Sequence, residues 1–79
     1  MVVVHRAFGF RFVMFINDHS PPHVHIFGHG GEAKIILQRE GPELDWFVGI
    51  SRGDSRRIMQ EVSRERVRLL EKWREIHEQ

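Results

Sequence analysis

The chain reads as an α+β domain: a small, mainly antiparallel sheet of three to four strands followed by one long or two short C-terminal helices. Three observations predict it. Apolar residues alternate with a period of two through much of the first fifty residues, Gly- and Pro-rich segments punctuate those runs, and after Ser51 the apolar spacing becomes helical. Helices that follow a run of strands, rather than alternating with them, pack on one face of an antiparallel sheet. The expected limits are a single domain over residues 1–79, with the sheet in 2–50 and the helical tail in 51–78.

Phe8, Phe10, Phe12, Met14 and Ile16 alternate with Gly9, Arg11, Val13 and Phe15, which predicts a strand of the residue types that suit a pleated surface. Val13 and Phe15 make its second face apolar too, so both sides want cover, from the helices or from a second copy of the chain. Asn17 to Pro22 is turn chemistry, because Asn and Asp tolerate tight bends and the two prolines deny ladder hydrogen bonds. Alternation resumes at His23, with Val24 and Ile26 on one face and His23 and His25 on the other. Gly28-His29-Gly30-Gly31 permits the positive φ angles of a hairpin turn.

The return strand, Glu32 to Gln38, places Ala33, Ile35 and Leu37 on one face and Glu32, Lys34 and Ile36 on the other. Matching apolar faces allows a register that opposes His25 to Lys34, and another that opposes His25 to Glu32 and His23 to Lys34. Either one gathers His23, His25, Glu32 and Lys34 on one polar surface.

After a turn at Arg39-Glu40-Gly41-Pro42-Glu43, Leu44 to Ile50 has the alternation of one more short strand. Ser51 and Asp54 have the spacing of a capping box, a hydroxyl three residues ahead of a carboxylate, which starts a helix. Met59, Val62, Leu69, Trp73 and Ile76 then form an apolar seam that Arg66 interrupts, and Ser63-Arg64-Glu65 is a point for a kink or a break. This seam packs on the sheet, while the surrounding arginines form a solvated face with Glu61, Glu65, Glu71 and Glu75 as helical-spacing partners.

Size and composition narrow the function classes. A chain of 79 residues buries only about 60–65% of the surface its unfolded form exposes, which leaves a small core and favours assembly with something else. With no cysteine, disulfides and thiolate metal sites are excluded, leaving imidazole and carboxylate as ligands. No apolar run is long enough for a membrane helix and the start is unlike a signal peptide, so a cytoplasmic protein is expected. The net charge is +1, with eight Lys/Arg against six Asp/Glu from Arg52 onward and four against five before it. That balance does not by itself select RNA as a partner.

Four of the six histidines, His19, His23, His25 and His29, fall within eleven positions. Imidazole both titrates near neutral pH and ligates metals, so this window is where chemistry is expected. One reading is metal-free cleavage of RNA: His23 and His25 as acid and base, Lys34 or Arg11 as the cation for the phosphorane, and Asp18 or Glu32 fixing a tautomer. Another is a metal site, with His23 and His25 as ligands to Zn, Ni, Fe or Mn and His19, His29 or Glu32 as the third. In the plainest reading, His23 and His25 are the solvent face of a hairpin, His19 caps a turn, and the prolines protect an edge strand. His5 and His77 carry no assigned role, although His77 near the C-terminus suits the helix dipole if protonated.

The run Asn17-Asp18-His19-x-Pro21-Pro22-His23-Val24-His25, with Gly31-Glu32-Ala33-Lys34 behind it and a Ser51-led tail ending in Leu69-Leu70-x-x-Trp73, resembles the small bacterial family called domain of unknown function 4160. The resemblance spans nearly the whole chain. It implies the toxin half of a toxin–antitoxin pair with a cognate antitoxin as partner, and it carries no mechanism with it. The rival class is a non-catalytic module that binds its antitoxin or a cellular target through a sheet edge and the helical seam.

Overall fold

Two pairs of residues ending in glycine set the outline of the sheet. The computed structural model describes residues 1–78; Gln79, the last residue of the expected domain, lies outside the described residues. Phe8-Gly9 and His29-Gly30 have positive φ at both positions, 56° and 80° in the first pair, 50° and 76° in the second. This is the twist of a two-residue type I′ hairpin. The first pair joins β1 (Val2–Ala7) to β2 (Phe10–Met14), and the second joins β3 (His23–Gly28) to β4 (Gly31–Gln38). A third hairpin, at Arg39-Glu40, leads into β5 (Gly41–Val48). All neighbours are antiparallel in the order β1-β2-β3-β4-β5.

The sheet therefore has five strands, one more than the upper expectation. The alternation from Phe8 to Ile16 runs across a turn: Phe8-Gly9 is a hairpin loop, the strand is only Phe10–Met14, and Val2–Ala7 is a separate strand. Gly9 inside an alternating run, with Val2-Val3-Val4 ahead of it, was the signal for that turn. Of the two registers open for β3 and β4, the one found opposes His25 to Lys34 and Val24 to Ile35, with His23 opposite Ile36 and Phe27 opposite Glu32.

The tail is two helices, α1 (Arg52–Arg64) and α2 (Arg66–His77). Ser51 starts the first as its spacing predicts, its Oγ accepting from the Asp54 amide at 3.1 Å. The break falls at Glu65, whose φ of −95° and ψ of 8° leave helical geometry. Ile58 and Val62 of α1 and Leu69 and Trp73 of α2 are buried against Phe10, Phe12, Met14, Val24, Ile26, Ala33, Ile35 and Leu37, the even face of β2 and β3 and the odd face of β4. Met59 and Ile76 of the expected seam are only partly buried, and Ile58 takes the deeper position. Full burial of each large apolar side chain contributes about 1.5–3 kcal/mol.

A bulge between Val3 and His5 ties β1 to the helices. Val3 pairs with Val13, but past the bulge His5 pairs with Phe12 instead of Arg11, which turns its ring from the open face of the sheet to the helix face. There Nε2–H donates to Glu61 Oε2 at 2.5 Å, while Nδ1 accepts from Arg68 Nη2 at 2.7 Å. Arg68 also donates to the Val4 carbonyl and to Glu65, and Arg64 donates to Glu61. Glu61, expected on a solvated face, is 6% exposed and sits inside this network. The bond from His5 holds its carboxyl below the usual range, with Arg64 acting in the same direction and burial opposing them.

Candidate functional site

The face of the sheet turned away from the helices carries Arg11 and Val13 from β2, His23, His25 and Phe27 from β3, and Glu32, Lys34 and Ile36 from β4, as the alternation requires. Val13 is fully buried there. Phe15, just beyond β2, packs edge-on to His25 with centroids 5.1 Å apart and also meets Phe27. The chain thus supplies cover for its own second face from the segment that leaves β2.

That segment, residues 15–22, crosses from β2 to β3 through Asn17, Asp18 and a cis Ser20–Pro21 bond, and the Pro22 carbonyl accepts from the Leu37 amide. Its path brings the Asp18 carboxylate over the start of β3. Asp18 Oδ2 lies 3.0 Å from His23 Nε2 and 3.6 Å from His25 Nε2. On the other side of the His23 ring, Nδ1–H donates to the Pro21 carbonyl at 2.9 Å.

The two imidazoles differ in their surroundings. His23 is 5% exposed and has an acceptor beside each nitrogen. His25 has none: its buried Nδ1 lacks a hydrogen-bond partner, and its Nε2 stands beyond hydrogen-bond range of Asp18. Burial lowers the His25 pKa from its ordinary 6.5, His23 and Lys34 push the same way, and Asp18 and Glu32 oppose them. Burial thus favours the neutral form of the His25 ring.

Helix α2 closes this end of the sheet. Trp73 packs beside His23 with centroids 5.1 Å apart and stacks on His77 at 3.7 Å. His77 Nδ1 lies 2.9 Å from the Trp73 carbonyl and Nε2 lies 2.8 Å from the Phe15 carbonyl, so this ring ties the helix end to the start of the Asp18 segment. Sequence reasoning assigned His77 no role in the site, since only the fold brings positions 15 and 77 together.

The remaining expected site residues divide by place. Lys34 stands opposite His25 in the ladder, with its ammonium 3.5 Å from Asp45. Glu32 lies one step along the same face, close enough to act on His25 electrostatically. Arg11 is exposed, its guanidinium 5.9 Å above the Phe27 ring. His19 is exposed on the 15–22 segment, and His29 sits in the turn at the far end of β3, where Nε2–H donates to the Phe8 carbonyl at 3.2 Å.

The described residues whose donor atoms lie close enough together to hold an ion are Asp18, His23 and His25, all within 4.8 Å of one another. The third donor grouped with the two histidines is Asp18, in the place for which the sequence offered His19, His29 or Glu32. Spacing in the sequence could not select Asp18, because its approach depends on how the prolines turn the chain back.

A protein-family model described as domain of unknown function (DUF4160) matches residues 9–77. No curated protein and no solved structure matches the chain.

Proposed function

The chain belongs to the DUF4160 family, and on that premise we propose that it is the toxin of a bacterial toxin–antitoxin pair, active in the cytosol, whose target is the RNA backbone. The observation that carries the reading is the convergence of Asp18 on His23 and His25, with Lys34 opposite His25 in the ladder and acting on it electrostatically. Cleavage of a phosphodiester removes a proton from the attacking oxygen, forms its bond to phosphorus, breaks the bond to the leaving oxygen, and returns a proton to that oxygen. The attacking oxygen loses its proton at the Asp18–His23–His25 cluster. Lys34 meets the charge that grows on the phosphoryl oxygens, and Arg11, exposed farther along the same face, holds the strand. His19, exposed on the same segment as Asp18, returns the proton to the leaving oxygen.

A second reading is favoured by one specific observation. β5 is an edge strand, and Trp46, Phe47 and Val48 are exposed in succession along it, 38%, 43% and 67%. A strand with a free row of amides and carbonyls and apolar side chains on both faces accepts another strand, and the antitoxin is the partner proposed for it.

Induced expression in bacteria separates the two. Wild-type chain should arrest growth with fragmentation of total RNA, while His25→Gln and His23→Gln, shown folded by circular dichroism, should do neither. Undiminished arrest by both folded variants removes catalysis at this cluster and leaves the binding module.

A further inference from the structure

We propose that Asp18, His23 and His25 are the protein ligands of one divalent ion of borderline character, of the Zn²⁺ class, held with open positions for water or a phosphate oxygen. This inference deepens the cleavage reading by naming the cofactor of the same site. It begins from an imbalance of lone pairs. His23 Nδ1–H is committed to the Pro21 carbonyl, and its Nε2 faces a carboxylate oxygen 3.0 Å away. A ring nitrogen and a carboxylate oxygen at that distance share a cation between them, a proton or a metal ion. A proton serves one such pair, but here a third lone-pair donor, His25 Nε2, stands 3.6 Å from the same oxygen without a hydrogen bond of its own. A metal ion can serve all three at once.

The spacing agrees. Ligands about 2.1 Å from an ion are about 3.0 Å apart when they subtend a right angle and about 3.4 Å apart in a tetrahedron. The separations of Asp18 Oδ2 from the two nitrogens, 3.0 and 3.6 Å, bracket those values. The Pro21 carbonyl supplies what a ligating histidine needs behind it, an acceptor for the far ring nitrogen that fixes tautomer and orientation. Two imidazoles and one carboxylate suit Zn²⁺ and its first-row neighbours and suit Mg²⁺ or Ca²⁺ poorly. The side chains also differ in exposure: His23 is 6% exposed, His25 15% and Asp18 24%, so the approach for substrate lies past Asp18 and His25.

The test is calorimetric titration of the purified, chelator-stripped full chain with Zn²⁺ alone and with Mg²⁺ alone. The expected result is one equivalent of Zn²⁺, no measurable Mg²⁺, and affinity weakened at least about tenfold in each of Asp18→Asn, His23→Gln and His25→Gln. His29→Gln, at the far end of β3, should bind as wild type does. Thermal melts of every variant confirm folding, and the visible spectrum of the Co²⁺-loaded wild type should show bands that His25→Gln lacks. Failure of the wild type to bind Zn²⁺, or binding that all three folded variants retain, overturns the proposal whatever happens to RNA. Stoichiometric Zn²⁺ binding with intact RNA upholds it and retires the cleavage reading, so the two fail separately.

Discussion

Two clusters in this chain pair histidine with carboxylate, and they are built to opposite ends. In the first, between β1 and α1, His5 donates to Glu61 and accepts from Arg68, so both ring nitrogens have complementary partners and the carboxylate is buried with cations beside it. In the second, at the start of β3, one Asp18 oxygen faces two imidazole nitrogens, and His25 has no hydrogen bond. A satisfied buried network holds elements together, and an unsatisfied one costs stability unless something else completes it. The difference identifies the first as architecture and the second as the candidate site, although both use the same residue types.

The sharpest way to break that contrast is to truncate the carboxylates. Glu61→Ala should lower unfolding free energy by about 1–3 kcal/mol in urea denaturation, because it strips the largely buried His5 Nε2–H of its acceptor. In chelator-treated protein Asp18→Asn, a quarter exposed, should cost less than about 1 kcal/mol in the same assay. Equal losses would erase the distinction. A smaller effect of opposite sign is expected at His25: His25→Leu removes a buried nitrogen that has no partner and places a methyl-bearing chain beside Phe15 and Phe27. In chelator-treated protein it should raise stability by about 1 kcal/mol, and a loss of stability would show that the His25 ring is already satisfied.

The mildest test uses pH on chelator-treated protein. His25 has a lowered folded-state pKa, so below its ordinary 6.5 the unfolded chain takes up a proton that the folded one refuses. Its contribution is complete above that value and declines as the pH falls toward the folded-state value. Glu61 is also lowered, so its contribution is complete above its ordinary 4.5 and is lost as the pH falls further, through the folded-state value. Stability measured across pH 7 to 3 should fall in two windows. His25→Gln should remove the upper one and Glu61→Gln the lower, and a single window untouched by either variant would contradict the assignment.

Local patterns were legible where the cause is local. Gly28 to Gly31 announced a hairpin because only certain residues accept positive φ, and Ser51 announced α1 because its hydroxyl reaches an amide three residues on. The shared face of His23, His25, Glu32 and Lys34 followed from alternation alone. The fifth strand was hidden because Phe8, a bulky residue with positive φ, interrupts an alternation that continues through it. The bulge that turns His5 to the helices leaves no mark in the pattern, since it changes pairing and not composition.

Sequence by itself determined the α+β order, the strand faces and the membership of the histidine surface, because each depends on backbone geometry within a few residues. Tertiary structure decided which histidine is architecture and which belongs to the candidate site. Asp18 meets His25 only because the 15–22 segment folds over β3, and His77 reaches the Phe15 carbonyl only because α2 packs across the end of the sheet. Those contacts depend on chain closure over long separations, and spacing along the chain carries no record of it.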